Sequence, residues 1–119
     1  MELYPPNLRG RQMKRVFICS PFDSDTDESM DKITSYIRYT LMNEAVPIVP
    51  QIYTLFTDDG TIGVDMVTRA KRELLWVCDE LWVFGNEITG KMQTEIDFCK
   101  NLNVAIRYVS EDEIRRLLK

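Results

Sequence analysis

CDELWVFGNEITGKMQTEID, residues 78–97, spells a strand, a polar turn and a helix in succession. Residues 79–84 (DELWVF) have strand composition and stop at Gly85. Residues 86–90 (NEITG) form a polar turn. Residues 91–100 carry helical spacing, with Met92, Ile96 and Cys99 at positions that share an inward face. In an open α/β sheet, ligands sit outside the carboxyl ends of the strands. That rule places Gly85, Asn86 and Gly90 at the mouth of a crevice. It also sets Glu95, about one turn into the helix, where its carboxylate can point into the crevice.

Upstream, residues 15–20 (RVFICS) hold a continuous apolar run, the mark of a strand covered on both faces. Residues 20–22 (SPF) stop it. An acidic turn follows, in which Ser24, Asp25 or Thr26 caps a helix over residues 26–44. Ile33, Tyr36, Ile37, Thr40 and Leu41 give that helix an apolar stripe. Residues 46–50 (VPIVP) are β-branched, and their prolines argue for an edge strand. Residues 51–63 read as a long loop with apolar weight at Tyr53, Leu55 and Phe56, folded back over the domain. A second helix spans 64–77, with Val67, Ala70, Leu74 and Val77 on its inner face and Lys71 elsewhere. Beyond the opening stretch, residues 103–109 form another strand. Residues 111–119 form a last helix, opened by a Ser110/Glu113 capping box.

Strands alternating with helices imply a parallel sheet with helices on both faces. The expected fold is α/β: a flavodoxin-like three-layer sandwich whose parallel four-stranded sheet has order 2-1-3-4. Residues 1–14 form an extended or mobile arm, and residues 15–119 form one domain. The crevice then opens between the first and third strands, where the order reverses. Ser20, Pro21, Phe22, Gly85, Asn86 and the helix bearing Glu95 border it.

Composition narrows the chemistry. The chain has 119 residues and a net charge of −4, so it has no basic footprint for nucleic acid. No run approaches ~18 apolar residues, so no membrane span is expected. The first residues lack the order of a signal peptide, and the reading is cytoplasmic. Cys19, Cys78 and Cys99 sit in apolar surroundings without CxxC spacing, and the chain has no histidine. Buried, reduced thiols are the natural reading, and no structural metal is expected. No GxGxxG or Walker motif is present, and no cofactor is expected.

Without histidine, acid–base work falls to carboxylates, Tyr, Lys or Cys. Glu95 is the sharpest candidate. A carboxylate can attack an anomeric carbon and form a covalent ester, with a second acid nearby to handle the leaving group. Asp79, Glu87 and Asp23 compete for that second role. The rival reading makes Glu95 an ordinary solvated helix residue. Tyr53 and Phe56 are candidates for stacking on a flat ring. Arg38, Arg69 and Arg72 can reach a phosphate through a bidentate fork, or simply solvate helix faces. Trp76 and Trp82 read as core.

VFICSPF, VPIVP, CDELWVFG, ITGKMQTEI and VAIRYV together resemble the nucleoside 2-deoxyribosyltransferase-like superfamily. The nearest part is its small branch of DUF4406- or DUF7768-type proteins. The resemblance covers residues 15–109 and implies the same flavodoxin-like sheet. It implies that Glu95 is the nucleophile on deoxyribose C1′, and it matches Asp79 to an acid just before the central strand. It makes residues 20–23, including Asp23, a base- or sugar-contacting loop; Gly90, at the crevice mouth, and Met92 are further candidate substrate-binding residues. A nucleoside or nucleotide is the implied small-molecule partner, and a homo-oligomer the implied assembly. Two positions depart from the family pattern. An aspartate of the enzymes falls near Lys71, and Gln51 stands where the branch often has histidine. These departures keep a second reading in play, a module that binds a nucleotide-like ligand without cleaving it.

Overall fold

The computed structural model describes residues 13–21 and 26–118, excepting the side chains at positions 55 and 58. Four parallel strands form one sheet in the order β2-β1-β3-β4. They are β1 (Arg15–Cys19), β2 (Val46–Ile48), β3 (Glu80–Phe84) and β4 (Ala105–Val109). The expected class and strand order are both present. The order reverses between β1 and β3, which pair with Phe17 beside Leu81 and Cys19 beside Val83.

Alternation along the central strands builds two cores. Val16, Ile18, Trp82 and Phe84 face one side, where α1 (Asp27–Met42) and α5 (Glu111–Leu118) cover them with Tyr36, Tyr39 and Ile114. Phe17, Cys19, Leu81 and Val83 face the other side. There α3 (Val64–Val77) and α4 (Gly90–Asn101) supply Leu75, Met92, Ile96 and Cys99. A continuous apolar strand is stable only when both faces are covered in this way. Tyr36 stacks on Phe84 with ring centroids 4.7 Å apart, and Arg107 lies 4.6 Å over the Trp82 ring.

Thr26 is the residue that caps α1, accepting from the Ser29 amide at 3.0 Å. No glycine ends this helix, and Glu44 turns the chain with φ 58°. The long loop expected over residues 51–63 is a correction. Its first half is ordered as a 3-10 turn (Pro50–Tyr53) running into α2 (Thr54–Asp58). Pro50 at the first position has its φ preset for a helical turn. The burial of Gln51 then fixes the turn against β1. The helical phase of α3 also differs from expectation. Leu75 is its buried residue, Val77 is exposed, and Lys71, one turn before Leu75, lies on the inward side. Phe22, Asp23 and residues 1–12 of the expected arm lie outside the described residues.

Candidate active site

Two adjoining cavities meet on the α3–α4 side of the sheet. The crevice, about 440 Å³, opens at the carboxyl ends of the strands, where Ser20, Pro21, Gln51, Thr89, Gly90 and Met92 border it. The groove, about 450 Å³, runs between α3 and α4 over Val67, Leu75 and Phe98. Thr54, Lys71, Lys91 and Glu95 line both, so they form the wall where the two spaces join.

Local sequence positions that wall. Thr89 caps α4, accepting from the Met92 amide at 3.3 Å, while its own amide donates to Met92 Sδ at 3.5 Å. Met92, Ile96 and Cys99 then turn inward, which fixes the roll of the helix and sets Glu95 at its edge. Before the turn, Gly85 leaves β3 with φ 96°, a conformation that other residues rarely adopt. Its amide donates to Val109 O at 3.1 Å.

Glu95 is mostly enclosed, its side chain only 16% exposed, and Lys71 is 22% exposed. Lys71 Nζ lies 3.8 Å from Glu95 Oε2. Burial pushes the Glu95 carboxyl above its ordinary range, opposed by Lys71, by the Cys19 thiol and by Lys91, and the net shift is upward. Burial likewise drives the Cys19 thiol far up, and the Glu95 charge adds to it, so Cys19 is a neutral thiol. The Cys19 Sγ donates to Met92 O at 3.8 Å. Gln51 is 7% exposed; its amide donates to Ile18 O at 2.7 Å and Ser20 Oγ at 3.1 Å, pinning the turn to the end of β1.

The structure gathers Ser20, Pro21, Glu87, Gly90, Met92, Arg72 and Glu95 from the sequence-based set around these cavities. Gly85 adjoins Pro21, and a Cβ on Gly85 would meet Pro21 Cδ at 3.7 Å. Asn86 is exposed beside it and is not among the lining residues. Asp79 belongs elsewhere. It precedes β3, and its Oδ2 accepts from the Arg15 amide at 2.7 Å at the amino ends of the strands. The five residues of β3 separate it from the crevice, about 16 Å at ~3.3 Å per residue. Arg38 is exposed on α1, across the sheet, and Arg69 is exposed on α3 away from both linings. Neither Tyr53 nor Phe56 lines either cavity; Thr54, between them, does.

Lys71, Lys91, Thr54 and Thr89 were missed as site residues. A signal existed for Lys71: it lies four residues before Leu75 and four after Val67, on one helical face.

The architecture is that of an α/β protein with a crevice at the strand-order reversal. A family model described as a domain of unknown function, DUF7768, matches residues 14–109, and the chain belongs to that family. Among solved structures, the chain is similar to a 2-deoxyribosyltransferase from the psychrotolerant bacterium Bacillus psychrosaccharolyticus. The two share 12% identity and a TM-score of 0.63, over 81% of this chain and 72% of that one. A comparison with curated protein sequences finds no match. At that identity the likeness shows the fold. No described helix is long and apolar enough to cross a membrane.

Proposed function

We propose that the protein acts on the N-glycosidic bond of a nucleoside or nucleotide, with Glu95 as the nucleophile. One observation carries this reading: Glu95 is enclosed in the wall between crevice and groove, at the carboxyl ends of the strands, where such folds bind ligands. A substrate cleaved in its middle fits a carboxylate placed between two spaces. Glu95 would attack C1′, the heterocycle would leave, and a glycosyl ester would remain for water or a second base to resolve. The neighbour of similar fold is a 2-deoxyribosyltransferase, which favours a nucleoside-type substrate for this fold.

The test is incubation with 2′-deoxynucleosides and their 5′-monophosphates, with free base followed by chromatography. Base release that Glu95→Ala abolishes supports the reading. No release by the wild type, or undiminished release by the variant, overturns it.

A second reading draws on the Lys71–Glu95 pair and on Asp79 standing at the far end of β3. In that reading the site binds a nucleotide-like ligand and leaves it intact. Saturable binding of deoxynucleotides by calorimetry, without base release, distinguishes it. Either reading expects a homo-oligomer, supported by Val64, Met66, Trp76 and Val77 exposed along α3. Sedimentation velocity measures this directly, and a monomer at all concentrations contradicts it.

A further inference from the structure

A glutamate nucleophile solves half of a glycosyl transfer. When the C1′–N bond breaks, its electron pair goes to the heterocycle, which leaves as an anion unless a donor protonates it. Asp79 stands at the other end of the sheet. Glu87 borders the crevice and Asp97 the groove, but both are exposed and neither lines both spaces, so among the described residues Glu95 is the one carboxylate in the shared wall. The groups facing Glu95 are Lys71 on α3, Lys91 on α4 and the Cys19 thiol on β1. Cys19 is fully buried behind Glu95, and Lys91 is exposed at the start of α4. Lys71 is enclosed, lines both cavities, and reaches within 3.8 Å of the attacking oxygen.

We propose that Lys71 is the proton donor to the departing heterocycle, taking the place of a second acid in this site. The inference rests on the reading of Glu95 as nucleophile. In the first step, a Glu95 oxygen bonds to C1′ and the C1′–N bond breaks. A proton passes from the Lys71 ammonium to the heterocycle nitrogen, leaving Lys71 as a neutral amine. In the second step, water attacks C1′, Lys71 takes the water proton, and Glu95 leaves as carboxylate. Charge and protons return to the starting state. The resting ion pair suits this cycle. Esterification removes the Glu95 charge as the ammonium gives up its proton, so neither step leaves an unpaired buried charge.

The experiment measures single-turnover base release from 2′-deoxyadenosine and from 7-methyl-2′-deoxyguanosine. The methylated base already carries a positive charge, leaves neutral and needs no donor. Lys71→Met is expected to slow adenine release by about 100-fold or more, the usual range for loss of a general acid. Release of 7-methylguanine should fall at least tenfold less. Lys71→Arg keeps the charge but cannot surrender a proton, so it should resemble Lys71→Met on adenine. Equal losses on both substrates would make Lys71 a support for Glu95 only and overturn the proposal. So would no loss on adenine, or full activity in Lys71→Arg. If the wild type releases neither base, the N-glycosidic reading itself fails and takes this inference with it.

Discussion

Lys71 Nζ stands 3.8 Å from Glu95 Oε2, and the two side chains form the wall common to the crevice and the groove. Two different helices supply them. The site therefore depends on how α3 and α4 pack over Phe17, Leu81 and Val83, and not on a local motif.

Burial leaves a pH signature. The Glu95 carboxyl is raised in the folded chain above its ordinary value of 4.5. The folded state thus holds this proton more tightly than the unfolded state does. Its contribution to stability is fully present below the ordinary value and is lost as pH rises through the folded value. Glu95→Gln cannot titrate. The melting temperature of the wild type, relative to Glu95→Gln, should decline as pH rises from below 4.5. A difference that is flat or increasing with pH contradicts this.

Thr89 holds the first turn of α4 by accepting from the Met92 amide. Thr89→Ala should lower stability by about 1 kcal/mol in urea unfolding, and Thr89→Ser should restore most of it. Equal stability of all three proteins would show that the cap contributes little.

Gly85 ends β3 with φ 96°. A Cβ there meets only ordinary contacts, the nearest being Tyr36 Oη at 3.6 Å, so backbone strain is the main penalty. Gly85→Ala should destabilise by about 1–3 kcal/mol in denaturant unfolding. Unchanged stability would place the strain elsewhere.

Asp79 tests the distinction between structure and chemistry. Its carboxylate accepts from the Arg15 amide at the amino ends of β1 and β3. Asp79→Asn should lower stability by about 1.5–3 kcal/mol, the range for a hydrogen bond to a charged group. Base release by the folded variant should match the wild type. A folded Asp79→Asn variant with lost turnover would contradict the placement of Asp79 outside the site.

The sheet was readable because β1 and β3 are apolar at every inner position, from Val16 to Cys19 and from Leu81 to Phe84. Such strands demand helices on both faces, and the alternation of elements then leaves few orders. Glu95 was readable for a related reason, since the sequence of strand, Gly85, turn and helix fixes which end of the sheet the helix begins on. The same logic applied to Asp79 puts it at the opposite end, because a residue before a parallel strand and a residue after it stand a strand's length apart. The turn at Pro50–Tyr53 and α2 were not legible, because TLFTD is too short to show a helical period. Lys71 was hidden by its charge. Its spacing from Leu75 marks the inner face, but a lysine there makes sense only once Glu95 is seen opposite.

The most direct test of the central claim is intact-protein and peptide mass spectrometry after rapid acid quench of the protein with a 2′-deoxynucleoside. The account predicts one deoxyribosyl unit on the peptide that carries Glu95, and no such adduct in Glu95→Ala. Base release without that adduct, or an adduct on another peptide, would contradict Glu95 as the nucleophile.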